Sequence, residues 1–395
     1  MPRKDSIPTR GRSTEKKALL IGISYHKGSG RPGEKLEPIP TSIPNVTKFA
    51  AFLKECCGFT NTVVMTDEDG VGKRYRPTKR NLKREIRALR RGVKPGDRLV
   101  FYFAGHSDQV PCKTGSEEDG MDEVLVALGG LKIQDNTLHN WLVKDLPKGS
   151  ALTAIFDSCT SGTLLDLHHY YCNDVYRPWV NKGARRSNTF RNNVVRKNCK
   201  GTRSPPPSRR RSTYRKGSGE ASDRFPSLLQ LIQTGPVPMT LIEDPDKHYG
   251  ERCASPERQF ACDGWCRKMM PRKASLTHAD VISISSSNDG QVSWDASTRN
   301  GDSISMTTFL IKILKQYPEI TYSELMTRLN HAMYSFTMKM HDAEREKHAR
   351  RKAGRKDTDS EDIKSEEESR GEMDNFQDLQ LGSITPVDMD RLFRL

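Results

Sequence analysis

The sequence predicts an α/β protein with a mostly parallel central sheet, flanked by helices and interrupted by a long insertion. Three observations carry that expectation. Short apolar, β-rich runs alternate with amphipathic stretches at helical spacing, the pattern of parallel strands joined by helical crossovers. Two of the runs stop abruptly, one at Gly105-His106 and the other at Asp157-Ser158-Cys159. From Gly183 to about Ser275 the patterning gives way to Pro, Ser and Arg, including Ser204-Pro-Pro-Pro-Ser208, which cannot pack a core.

Taken in order, 1–15 is a basic Pro/Arg/Ser tail, expected to be disordered. Lys17–Ser24 is the first central strand, and a Gly/Pro-rich loop runs from it to Pro44. Val46, Phe49, Ala50, Phe52 and Leu53 recur at helical spacing and predict a helix over 45–57. Thr62–Thr66 is a strand, and Thr78–Arg91 a helix with Leu82, Ile86 and Leu89 on its inner face. The runs beginning at Asp97 and Ala151 are apolar on both faces, as in buried parallel strands. Beyond the insertion, Asp280–Ser285 resumes as a strand, followed by helices over 307–316 and 322–340. A charged stretch at 342–374 reads as a mobile insertion or a frayed helix extension, before a closing strand at Gln380–Ser383. The domain reading is therefore 16–182, a linker over 183–275 and a second half over 276–395.

The two interrupted strands carry the chemistry. Open α/β sheets bind their ligands beyond the carboxyl ends of the strands. A lone cysteine there reads as a buried structural thiol, and a lone histidine as a hydrogen-bonded surface residue. Together they are a thiol nucleophile and the base that deprotonates it. Gly105 and Gly162 suit a backbone that a substrate must approach closely.

The segments Tyr102–His106, Glu118–Glu123 and Phe156–Gly162, with Thr153–Cys159, Leu164–Leu167 and Tyr171–Val180, resemble a fungal metacaspase, of basidiomycete type. The resemblance covers roughly 17–182 and, more weakly, 276–395. It implies a caspase-like sandwich, and His106 lies about fifty residues before Cys159, as in the caspase dyad. It also implies a cysteine endopeptidase that cleaves after Arg or Lys through a thioester. The oxyanion would rest on the backbone N–H groups of Cys159 and Gly105, and no third residue is needed to orient the histidine. Family members commonly bind calcium, here at Asp122, Asp135, Asn136 and Asp166. Asn136 stands where a second aspartate is usual, which predicts a weaker site. Read without the resemblance, the acidic run Glu117–Glu123 is a solvated loop. Of the substrate-binding positions, Asp157 matches the family's first-pocket carboxylate. Asn45 replaces an aspartate and Ala104 a serine, while Gly105 flanks the histidine. These departures support a second reading, a caspase-like scaffold that binds partners with little or no proteolysis.

Composition bounds the rest. At 34% hydrophobic residues and mean hydropathy −0.73, part of the 395-residue chain is expected to be disordered. Nine cysteines form no framework, no apolar run approaches about eighteen residues and no secretory segment follows Met1, so a reduced, cytoplasmic protein without a membrane is expected. Twelve Arg and Lys residues between Gly183 and Lys216 account for most of the +15 net charge, leaving about +3 for everything else. That concentration argues against a nucleic-acid-binding face, and no aromatic stacking motif accompanies it; such a run could also serve as a nuclear address. The linker offers basic cleavage sites and a short helix over Leu228–Ile232. His248, Cys253, Cys262 and Cys266 lack the paired spacing of a zinc site and read as unlinked thiols. The partners expected are protein or peptide substrates with basic residues, acted on by a monomer.

Overall fold

Strand β3 (Arg98–Ala104) and strand β7 (Ala151–Asp157) lie side by side, parallel, with Ala104 opposite Asp157. That register brings the Gly105-His106 and Ser158-Cys159 turns to one edge of the sheet. The computed structural model describes residues 14–26, 36–113, 120–159, 161–169, 173, 279–287, 296–297, 303–353, 377–385 and 387–395. The linker over 183–275, with its predicted helix and its Cys and His residues, lies outside them.

Around this pair the sheet is built outward. β1 (Lys16–Gly22) pairs with β3 and with β2 (Asn61–Thr66), and β8 (Asp280–Ser285) with β7, all parallel. Beyond the short antiparallel pair β9 (Ala296–Ser297) and β10 (Ser303–Ile304), β11 (Gln380–Ser383) closes the sheet antiparallel to β8, giving the six-strand order β11-β8-β7-β3-β1-β2. The predicted α/β class, a mostly parallel sheet flanked by helices, is what the chain forms.

Alternation along the strands divides the core in two. Leu20, Tyr102 and Ile155 face helix α1 (Ser42–Cys57), α4 (Met306–Gln316) and α5 (Tyr322–Ala353), packing with Phe49, Leu310 and Leu329. Leu19, Phe101 and Phe156 face α2 (Lys79–Arg90) and α3 (Asp135–Leu142), packing with Ile86 and Leu138. A strand that is apolar at every position after its first thus feeds two cores, which is why β3 is buried throughout from Leu99 on.

Helix α1 begins at Ser42, ahead of the expected start at 45, and takes Pro44 into its first turn. Proline costs nothing there, because the N–H it lacks has no partner in the first turn. Helix α5 continues to Ala353, through the start of the expected charged insertion. After β3 the chain forms a small antiparallel sheet of β4 (Ser107–Pro111), β5 (Met121–Ala127) and β6 (Leu131–Gln134). At the opposite edge of the main sheet, a cavity of about 290 Å3 is lined by Arg98, Tyr322, Arg391 and Arg394. There Arg98 Nε donates to the Leu395 carbonyl at 2.9 Å, tying the last residues to the strand start.

Candidate active site

His106 is half-buried at the end of β3, and its backbone is fixed on both sides. Its N–H donates to Tyr25 Oη at 3.0 Å, and its carbonyl accepts from the Val126 N–H at 3.0 Å. The ring Nε2 lies 2.6 Å from the Glu37 carbonyl oxygen. A carbonyl only accepts, so Nε2 carries the hydrogen and Nδ1 is the basic nitrogen of the neutral ring. Burial lowers the His106 pKa below its ordinary value, opposed by the Glu37 carbonyl and by the negative charges of Glu37 and Asp108. A neutral imidazole, ready to take a proton, is the form favoured near pH 7.

Cys159 sits half-buried in the turn after β7, and Ser107 Oγ, next to the histidine, donates to its carbonyl. The rest of the turn is held by the second half of the chain. Ser286 Oγ accepts from the Ser158 N–H and donates to the Ser158 carbonyl, both at 3.0 Å. Ser287 Oγ also donates to Ser158 O, at 3.2 Å, and Ser285 Oγ donates to Ser161 O at 2.7 Å. Gln380 Nε2 reaches the Gly162 carbonyl at 3.2 Å. The Ser285-Ser286-Ser287 run therefore clamps the cysteine turn from more than a hundred residues further along the chain.

Gly105 meets a steric limit. A Cβ there would lie 2.7 Å from Phe103 Cζ and 2.9 Å from Tyr25 Oη, so no larger residue fits between strand and histidine without movement.

Asp157 is half-buried beside the first turn of α4, whose Ser305 capping box sets the helix start. Its Oδ2 accepts from Thr307 Oγ1 at 2.5 Å and from the Thr307 N–H at 3.2 Å, and Tyr102 Oη lies 2.8 Å from the same Thr307 hydroxyl. Burial raises the Asp157 pKa, against the lowering effect of these bonds and of Ser305. Asn45 is buried in α1, and its Oδ1 accepts from Ser303 Oγ at 2.5 Å. Ala104 is buried at the end of β3.

The four positions expected to bind a cation are distributed unevenly. Asp122 and Asp135 are buried, Asp166 is half-buried with a left-handed backbone (φ 47°), and Asn136 is exposed. Asp122 Oδ2 accepts from Gln134 Nε2 at 3.0 Å, while its buried Oδ1 has no partner among the described residues. Asp135 accepts from the Glu123 and Asn136 N–H groups, at 2.9 and 2.5 Å. Burial, with the charges of Asp122 and Asp166 nearby, pushes the Asp135 carboxyl up to about 6. Among the described residues no three His, Cys, Asp or Glu side chains stand together as a metal site. The solvated-loop reading of the acidic run fails for its described end, since Asp122 and Glu123 are buried in β5. Glu123 instead bridges Gln109 Nε2, at 2.9 Å, and Thr163 Oγ1, at 2.5 Å, joining the segments that follow His106 and Cys159.

Glu37, Tyr25 and Thr307 escaped the sequence reading. A backbone carbonyl leaves no residue-type signal, and single hydroxyls look like any other polar residue until the fold places them.

The strand register thus sets an imidazole and a thiol at neighbouring strand ends of a parallel α/β sheet. The family described as "Metacaspase, peptidase C14 domain" matches residues 16–168. The protein Metacaspase-1 of Scheffersomyces stipitis is 28% identical over 326 residues, covering 80% of this chain and 67% of that one. Metacaspase-1 of Mycosarcoma maydis is also 28% identical, covering 81% and 68%. That of Cryptococcus neoformans var. neoformans is 40% identical over 161 residues, 40% of this chain and 34% of that one. A solved structure from Geobacter sulfurreducens aligns with TM-score 0.44 and 16% identity over 96% of this chain and 97% of that chain, too distant to bear on function. The chain carries, over residues 16–168, a metacaspase domain, of a family of cysteine peptidases, and these relatives are fungal. It spans about two thirds of the length of the first two of these relatives. No helix among the described residues is long and apolar enough to cross a membrane.

Proposed function

We propose that this protein is a cysteine endopeptidase that hydrolyses peptide bonds after Arg or Lys with His106 and Cys159. The observation that carries the reading is the strand register that sets Ala104 beside Asp157, because it brings the His106 and Cys159 turns to the same sheet edge. His106 Nδ1 takes the thiol proton as Cys159 Sγ attacks the scissile carbonyl carbon. The backbone N–H groups of Cys159 and Gly105 receive the oxyanion. The C–N bond then breaks, the amine leaves with the proton from His106, and a thioester remains on Sγ. Water, deprotonated by the same nitrogen, attacks the thioester, and the acid product leaves as the thiol re-forms. Asp157 faces the cation of the residue before the cut.

The test is incubation with fluorogenic peptides ending in Arg, Lys or Asp, with and without calcium, beside Cys159→Ala. Turnover of the Arg and Lys peptides by wild type alone is expected. Folded wild-type protein that cleaves none of them would leave the scaffold reading, which the uncharged Asn45 side chain favours.

We also propose that a hard cation, calcium, binds at Asp122, Asp135 and Asp166, with Asn136 at its margin. A buried carboxylate oxygen without a partner among the described residues and a carboxyl pushed up by burial, with acidic neighbours adding to it, fit such a charge. The donors are not gathered as they stand, so binding would have to draw them together. Bound calcium would neutralise the acidic cluster and order the loop after Cys159. Calcium should therefore raise the melting temperature of wild type by a few degrees and leave that of Asp135→Ala unmoved. Equal shifts in the two proteins would dispose of the site.

A further inference from the structure

We propose that Tyr25, braced by Asp67, is a positioning residue that holds His106 in place for proton transfer with Cys159; this rests on the peptidase reading above. Tyr25 lies just beyond β1, fully buried, yet its φ is 53°, a left-handed conformation unfavourable for a bulky residue. Such strain persists only where the surroundings hold it, and here Asp67 does. Its Oδ2 accepts from the Tyr25 N–H at 2.8 Å, and its Oδ1 accepts from the Ser24 N–H at 2.8 Å and from Ser24 Oγ at 3.0 Å.

The conformation aims the tyrosine at the histidine three ways. The two rings lie 4.6 Å apart between centroids, tilted by 41°. Tyr25 Oη accepts from the His106 N–H at 3.0 Å while donating to the Val126 carbonyl at 2.6 Å. The same oxygen fills the space where a side chain at position 105 would stand, which couples the glycine before the histidine to this tyrosine. The segment carrying the Glu37 carbonyl is tied to the same place, since the Ile39 N–H donates to the Ser24 carbonyl at 2.8 Å. One short stretch after β1 thus fixes the histidine backbone, one face of its ring and the acceptor of its Nε2 hydrogen. A core tyrosine that served packing alone would need neither the strained backbone nor a hydroxyl placed between strands.

The test compares wild type, Tyr25→Phe, Tyr25→Leu and His106→Ala for kcat and KM on an Arg peptide. Alongside, the rate at which iodoacetamide alkylates Cys159 is followed by mass spectrometry of the peptide that contains it. Tyr25→Phe keeps the ring and loses the hydroxyl, so kcat should fall about tenfold with KM unchanged. Tyr25→Leu should lose about a hundredfold, the scale of a misplaced catalytic group. Alkylation in Tyr25→Phe should fall between wild type and His106→Ala. A wild-type kcat and alkylation rate in Tyr25→Phe would overturn the proposal, as would a change confined to melting temperature. Should Tyr25→Phe not fold, Asp67→Asn applies the same test, because it leaves the ring and hydroxyl and loosens only the backbone that carries them. If wild type cleaves no peptide, the peptidase reading falls, and the alkylation comparison still decides whether Tyr25 acts through His106.

Discussion

Asp157→Ala should abolish the preference for Arg and Lys before the cut while leaving Cys159 reactive toward a small alkylating agent. With Asn45 uncharged and bonded to Ser303, Asp157 is the one carboxylate among the proposed pocket residues. A cation left in a half-buried pocket without its partner costs several kcal/mol. The expected loss in kcat/KM on Arg peptides is therefore about a hundredfold or more, with little change on uncharged ones. The pH dependence of wild type carries the same signature. Burial holds the Asp157 pKa above that of an ordinary carboxylate, so its charge is lost earlier as the solution is acidified. KM for Arg peptides should rise on acidification before that for uncharged peptides does, and Asp157→Ala should erase the difference. An Asp157→Ala enzyme that cleaves after Arg as well as wild type would show that another group holds the cation.

Wild-type protein given calcium is expected to cut itself within roughly 183–275, and Cys159→Ala to stay intact. That stretch supplies basic residues in quantity, interrupted by prolines, and the clamp on the cysteine turn comes from both sides of it. Ser285, Ser286, Ser287 and Gln380 hold the turn from beyond the insertion, and β8 and β11 pair into the main sheet. A cut in the linker should therefore leave the two halves assembled, eluting together in gel filtration and separating only in denaturant. Identical fragments from wild type and Cys159→Ala, by intact mass, would assign the cutting to a contaminant.

Much of this was legible in the sequence because the signals were local. Leu99–Ala104 and Leu152–Phe156 are apolar at nearly every position, the pattern of a strand covered on both faces. Their abrupt ends told where the chemistry lies, since a buried strand that stops at Gly-His or Asp-Ser-Cys exposes those residues at a sheet edge. The helices expected at 45–57 and 78–91 announce themselves by periodicity; the first starts earlier, at Ser42, because Pro44 reads as a break but sits in a turn that needs no N–H.

What the tertiary structure decided is everything that depends on partners distant in sequence. Nothing local in Asp122 or Glu123 separates them from a solvated acidic loop. Burial in β5, and the hydrogen bonds of Glu123 to Gln109 and Thr163, make that distinction. Tyr25 reads as the first residue of a loop until Asp67 holds its backbone and His106 comes to rest against its ring. The Glu37 carbonyl, common to every residue type, becomes the partner of His106 only through the path of the chain. Sequence determines which residues can do the chemistry, because reactivity belongs to side-chain type. Which nitrogen of His106 is basic, and which carboxylates feel one another, are set by distances of a few ångströms that exist only once the strands are paired.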